Sequence, residues 1–175
     1  MQIRNLVAAA AMLATPLLST AAPAPVTAVS LLAELQARAA DAATHANELQ
    51  TIALTPDVSW QSHAYALEAV RADVNSMGRT LSQLRILRDS AGPEQRHAID
   101  SAALLVTEMA ANTSAAVNFL NDHRGNFWIP SYRTEVTNLV NESERLTKSA
   151  GEAVQFARLR SKEQRIDKDL GIGAE

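Results

Sequence analysis

The sequence predicts an all-α protein, an up-down-up-down bundle of four long antiparallel helices. Apolar residues recur with heptad spacing along most of the chain, which is typical of helices that bury one face. Residues that begin and end helices cluster at three breaks in this spacing. No stretch shows the strict alternation of apolar and polar residues that indicates a half-buried strand. Together these observations favour helices that pack on one another.

Each helix is predicted from one apolar seam, a row of residues that share a helix face. The seams run from Leu32 to Ala53, from Trp60 to Leu84, from Ile99 to Leu120 and from Tyr132 to Ala157. Helices of about 30 residues would each be about 45 Å long. The same spacing also occurs in coiled coils between chains. The short connections between the seams favour a chain that folds back on itself instead.

The breaks between the seams carry the chemistry of helix ends. Thr55-Pro56-Asp57 offers a capping hydroxyl, a proline and an acid, which predicts that the second helix begins at Pro56. Gly92-Pro93-Glu94 predicts a third helix that begins at Pro93 by the same reasoning. Gly125 is expected to end that helix, and Pro130 to begin the fourth. Because the first two connections are very short, consecutive helices are expected to be antiparallel neighbours.

The first 25 residues resemble a targeting segment for export rather than a part of the bundle. Arg4 precedes an apolar run from Leu6 to Leu18, and Ser19-Thr20-Ala21 supplies small residues for a signal peptidase. We expect residues 1–21 to be a cleaved signal peptide, 22–26 a short linker, 27–169 the bundle and 170–175 a flexible tail. The protein would then be periplasmic or secreted. The alternative is a short N-terminal helix or anchor that is not cleaved.

Composition excludes several classes of function. The net charge is −3, from 16 basic and 19 acidic residues, which argues against binding to nucleic acid. The chain has no cysteine, so disulfides, thiolate metal sites and covalently attached haem are excluded. No later stretch is long and apolar enough to predict a membrane span, and no catalytic motif occurs. We therefore predict no enzyme activity and a binding or structural role, with an unknown protein or envelope component as partner and homo-oligomers as a further possibility.

Aromatic residues concentrate at one end of the predicted bundle. Matching the helices by the positions of their turns places Trp60 beside the loop that contains Phe127, Trp128 and Ile129. In one interpretation this loop folds inward and caps the bundle end. In the other it is an apolar tip that binds a partner or lipid. The sequence favours the cap and predicts that Trp60 packs against the loop.

Histidines suggest the alternative function, a carrier that holds haem or a metal without a covalent bond. His63 and His123 lie near the aromatic end and are the candidate ligands. The pattern is weak, because no helix contains a Glu-x-x-His or His-x-x-x-His motif. We therefore predict no metal site and no cofactor.

Four residues within the predicted helices are unusual for a simple helical bundle, two of them polar and two of them glycines. Thr113 and Ser143 fall on seams, and Gly78 and Gly151 fall inside helices. We expect the hydroxyls to bond to their own helix backbones and the glycines to allow close helix approach. The alternative is a small internal cavity for a ligand. Acidic residues lie mostly off the seams and are expected to be solvated, Asp73 and Glu142 among them.

The stretch 158–169 combines basic and acidic side chains. Its last residues, beyond about Lys162, are expected to extend past the bundle as a solvated helix end. The alternative is that its basic residues bind anionic lipid or a partner.

Overall fold

The fold is the predicted all-α four-helix bundle. A computed structural model of the chain describes residues 26–124 and 130–170. The helices are α1 (Ala28–Leu54), α2 (Trp60–Leu87), α3 (Pro93–Asp122) and α4 (Pro130–Asp169), and a 3-10 turn at Arg88–Ser90 follows α2. There is no strand in this part of the chain. The predicted signal peptide and most of the predicted tail lie outside the described residues.

The four helices form a closed ring in chain order. α1 packs against α2 and α4, and α3 packs against the same two helices, whereas α1 and α3 are diagonal partners with little contact. The short connections between α1 and α2 and between α2 and α3 make these neighbours antiparallel. None of the helices in the described ranges has a stretch long and apolar enough to cross a bilayer.

The core consists of the four predicted seams. Every seam residue is buried except Trp60, Val117 and Ala157, which are half-buried. α1 contributes a run of small side chains, Ala39, Ala42 and Ala46, none of which is exposed. The larger leucines fill the layers around them. Burial of one leucine side chain stabilises a fold by roughly 1.5–3 kcal/mol, so the repeated seams supply the main driving force for folding.

The prediction that α2 begins at Pro56 was wrong. α2 begins at Trp60, and its N-cap is Ser59, whose hydroxyl accepts a hydrogen bond from the backbone N–H of Ser62 at 3.3 Å. The hydroxyl of Thr55 instead donates to the carbonyl of Thr51 at 2.7 Å, at the end of α1. Asp57 adopts a left-handed φ of 63°, which reverses the chain between the helices. Aspartate tolerates this conformation better than most residues because its short side chain can bond locally.

The other helix starts are confirmed. α3 begins at Pro93 with Gly92 as its N-cap, and α4 begins at Pro130. α3 ends at Asp122 with His123 as C-cap, whereas Gly125 lies outside the described residues.

The predicted backbone bonds of the two seam hydroxyls are also confirmed. Thr113 donates to the carbonyl of Met109 at 2.7 Å, and Ser143 donates to that of Leu139 at 2.6 Å. Each hydroxyl therefore has a partner within its own helix, and the buried layer requires no bound ligand to satisfy it.

The two helical glycines differ in their surroundings. A methyl group at Gly151 would lie 2.6 Å from the side-chain nitrogen of Gln36, so the predicted close approach there is to the end of an α1 side chain and not to the α1 backbone. A methyl group at Gly78 would meet nothing within 4 Å, so the same prediction was wrong at that position.

We expect Gly78→Ala to raise the free energy of unfolding by up to about 1 kcal/mol, because alanine favours the helix and meets no neighbour. Gly151→Ala is the matched comparison, and it should gain clearly less because Gln36 must move. Urea unfolding followed by circular dichroism measures both. Equal gains for the two variants would contradict this account of Gly151.

Candidate functional site

The aromatic end, which we define as Trp60, His63, Phe119, His123 and Tyr132, is formed by the start of α2, the end of α3 and the start of α4. His63 follows Trp60 by one helical turn, so both lie on the face of α2 that looks toward the core. Tyr132 is completely buried and His63 is almost so. The three helices thus bring polar aromatic groups from distant parts of the sequence into one cluster.

A buried hydrogen bond joins α2 to α4 within this cluster. His63 Nδ1 lies 3.1 Å from the Tyr132 hydroxyl. Burial lowers the pKa of His63 and raises the pKa of Tyr132, so that both side chains are neutral near pH 7. A neutral pair of this kind positions two helices without the cost of burying a charge.

A stack of rings extends from this bond to the surface. The Phe119 ring stacks on Tyr132 with 5.3 Å between centroids, and His123 also stacks on Phe119 at 4.2 Å. His123 Nδ1 also bonds to the carbonyl of Phe119 at 3.0 Å. Separately, the Arg124 guanidinium lies 5.1 Å from the ring centre of Trp60, within the range of a cation–π contact. The cluster therefore ties the ends of three helices together.

The two candidate metal ligands are not brought together. His63 bonds to Tyr132, whereas His123 stacks on the Phe119 ring and bonds to the carbonyl of Phe119. In the described ranges, 26–124 and 130–170, no three histidine, aspartate or glutamate side chains lie close enough to hold a metal ion. The two candidate histidines therefore do not form a shared ligand site.

The loop residues Phe127, Trp128 and Ile129 lie outside the described residues. Their packing against Trp60, as a cap or as a contact tip, stays a prediction. Trp60 itself is half-buried and contacts Arg124.

Sequence reasoning missed two polar pairs between helices. Asn112 Nδ2 donates to Glu142 Oε1 at 2.6 Å between α3 and α4, and Glu142 is only 8% exposed, so its expected solvation was wrong. His45 Nδ1 lies 2.6 Å from Asp73 Oδ2 between α1 and α2, and Asp73 is half-buried rather than solvated. One signal for the first pair was present in the sequence, because Val140 is an apolar residue beside the seam residue Leu139. Its burial widens the core face of α4 around Leu139 and Ser143.

Glu142 is the most unusual titratable group of the described core. Burial raises its pKa, and the nearby carboxylates Glu108 and Glu135 act in the same direction, while the hydrogen bond from Asn112 opposes them. Its second oxygen, Oε2, has no hydrogen-bond partner among the described residues. The charged form of Glu142 therefore costs the folded state free energy.

The C-terminal part of α4 together with Leu170, residues 155–170, is a further candidate site, which we call the α4 extension. Val154 is the last buried residue of the helix in the described range, and residues 158–170 are all exposed. On the side of α4 that faced the core, the extension carries Ala157, Ser161 and Gln164, which line a shallow groove beside Gly92–Gln95 at the start of α3. Phe156 and Arg160, at the edge of this side, also line the groove. The seam of the bundle therefore ends here.

A second apolar stripe begins where the seam ends. It consists of Phe156, Leu159, Ile166 and Leu170, which are 44%, 66%, 47% and 66% exposed. At about 100° per residue, this stripe lies about 150° around the helix from the core face of α4. Leu159, Ile166 and Leu170 point away from the bundle, whereas Phe156, at the start of the stripe, lines grooves beside the start of α3. The core of this chain buries none of the four.

Comparison with protein-family models, with curated proteins and with solved structures gave no match. Function must therefore be inferred from the residues themselves.

We expect Tyr132→Phe to lower the free energy of unfolding by about 1 kcal/mol, the usual net value of one buried hydrogen bond. The ring and its stack on Phe119 are retained, so only the bond to His63 is lost. Tyr65→Phe is the control, because Tyr65 is exposed on the same helix as His63. Thermal unfolding at pH 7 compares the two, and a Tyr132→Phe curve that overlays the parent would show that the bond contributes nothing.

We expect Glu142→Gln to stabilise the protein at pH 7 by about 1 kcal/mol, since it removes a buried charge and still accepts from Asn112. The folded state holds the Glu142 proton more tightly than the unfolded state does. The associated stability is therefore present below the unfolded-state pKa and lost as the pH rises through the raised folded-state pKa. The gain from the variant should accordingly shrink on acidification.

Unfolding by urea at pH 7 and at pH 4 tests this dependence. Glu144→Gln, at an exposed neighbour, is the matched control. A loss of stability in Glu142→Gln at pH 7 would contradict the assignment.

Proposed function

We propose that this chain is an exported, non-enzymatic protein that acts by binding, with the bundle as a rigid support and the α4 extension as the contact element. One observation carries the proposal. The extension presents an exposed apolar stripe on the side of α4 opposite to the core. Exposed leucine and isoleucine side chains in a row on one helix face are typical of a helix that packs against a partner.

Export is supported by the sequence of residues 1–21. A basic residue, an apolar run of signal-peptide length and small residues before a cleavage point follow in the expected order. A protein in the periplasm or outside the cell would meet envelope components as its partners.

The positions of the titratable groups in the described residues support a non-enzymatic role. The pairs His63–Tyr132, His45–Asp73 and Asn112–Glu142 each join a different pair of helices. A surface groove of about 560 Å³ between α3 and α4 contains none of these pairs, and the titratable side chains that line it, Glu94, His97 and Glu152, are all exposed to solvent. The three pairs are explained by helix packing, and the groove side chains are solvent-exposed rather than the buried, positioned groups that catalysis uses.

The test uses the native protein in an envelope extract of its host. We expect a mature chain that begins near Ala22 and elutes from a sizing column as an assembly larger than the purified monomeric variant. The double variant Leu159→Asp, Ile166→Asp should elute at the monomer position, because two charges replace the apolar stripe. Leu104→Asp is the control, since Leu104 is an equally exposed apolar residue on α3.

Two results would contradict the proposal. A native N-terminus at Met1 would overturn export. An assembly size that the double variant does not change, or a wild-type chain at the monomer position, would overturn the role of the α4 extension.

A further inference from the structure

The partner of the α4 extension can be inferred from its pattern of apolar and charged residues. We propose that the extension binds the α4 extension of a second copy of this chain, and that the two helices pair antiparallel. This inference rests on the proposed function, because it names the partner of the same contact element.

The apolar stripe has the spacing of a coiled coil. Phe156, Leu159, Glu163, Ile166 and Leu170 follow one another at intervals of three and four residues, which are the core positions of a heptad repeat. This seam is distinct from the one that holds the bundle together, since it lies on the opposite side of α4. A second helix with the same seam would cover its exposed leucines and isoleucine.

The charges beside the stripe are arranged in two halves. Arg160 and Lys162 flank its first half, and Asp167 and Asp169 flank its second half. The two aspartates lie in the last turn of α4, where acidic side chains interact unfavourably with the helix dipole. The order of charges is therefore not explained by the stability of the isolated helix.

Antiparallel pairing explains this order. If Leu159 packs against Leu170 of the second copy, Arg160 lies beside Asp167 of that copy and Lys162 lies beside its Asp169. Symmetry repeats both contacts, so four opposite-charge contacts flank the apolar layers. Charges at these flanking positions select partner and orientation in coiled coils.

Glu163 also favours the antiparallel direction. In a parallel pair, Glu163 would face Glu163 of the second copy across the core, and the two carboxylates would repel each other. In the antiparallel pair it faces Ile166 of the second copy instead. A glutamate in this layer still weakens the pair, so its presence predicts a reversible dimer.

The size of the contact agrees with a weak dimer. The overlap from Leu159 to Leu170 is about 18 Å long. Such a short pair buries less than the roughly 1,200–2,000 Å² of standard stable complexes. We therefore expect a dissociation constant in the micromolar range or weaker, on the order of 10–100 μM.

Sedimentation velocity of the mature chain at about 5 to 500 μM tests the dimer. The wild type should shift from monomer to dimer across this range. Arg160→Glu should weaken the dimer about tenfold, because it places two glutamates beside aspartates. Lys168→Glu carries the same charge change on the side of the helix opposite to the stripe and should leave the dimer unchanged. Circular dichroism checks that each variant stays folded.

A mixing experiment tests the direction of pairing. Asp167→Lys should also weaken self-association, and an equimolar mixture of Arg160→Glu and Asp167→Lys should recover the wild-type affinity. In a parallel pair Arg160 has no charged partner, so Arg160→Glu would have no effect there. A dimer that Arg160→Glu leaves intact therefore overturns the antiparallel pairing.

A variant with a tighter dimer makes self-association measurable even where the wild-type dimer is too weak to detect. Glu163→Leu completes the apolar seam and should tighten the dimer at least tenfold. A monomer at every concentration, for both the wild type and Glu163→Leu, overturns self-association. If that monomer instead sediments with vesicles of phosphatidylglycerol and phosphatidylethanolamine, the stripe binds a lipid surface and the proposal is also overturned.

The two proposals can fail separately. A pure protein that stays monomeric, with a larger assembly in the envelope extract that Leu159→Asp, Ile166→Asp disrupts, overturns self-association and leaves the proposed function standing. A dimer of the pure protein, with only monomer in the extract, overturns the proposed function and leaves the pairing chemistry standing.

Discussion

The bundle depends on one constraint, which is that each helix has a single face apolar enough to be removed from water. Four such faces of similar length can all be buried only if they surround a common axis. The buried alanines of α1, such as Ala42, allow its neighbours to approach closely, and leucines fill the space elsewhere. Helix order, antiparallel direction and the positions of the turns follow from meeting this constraint with short connections.

The same constraint explains how much could be predicted from the sequence. Heptad spacing depends on local geometry, so it identified the seams, and the glycine and proline chemistry of the breaks placed the helix starts at Pro93 and Pro130 correctly. The start of α2 could not be chosen in the same way, because Thr55 and Ser59 are both suitable caps and only the path of the chain decides between them. Asp57, with its left-handed backbone, takes the chain past Pro56 before α2 begins.

The specific side-chain contacts between helices could not be predicted from the sequence. His63 and Tyr132 both lie on predicted seams, yet their hydrogen bond depends on the rotation of α2 against α4. Glu142 was expected to be solvated because it lies off the seam, but α4 has a wider buried face at that level. The apolar stripe was missed for a related reason, since a search for the seam that faces the core overlooks a second seam on the opposite face.

The continuity of α4 has a mechanical consequence. From Val154 to Asp169 the helix contains neither glycine nor proline, and it continues without a break from the bundle into the extension. A helix of this kind transmits rotation and bending force along its length because it has no hinge. Whatever grips the extension therefore also sets the direction in which the whole bundle points, and the bundle acts as a stiff arm of defined orientation.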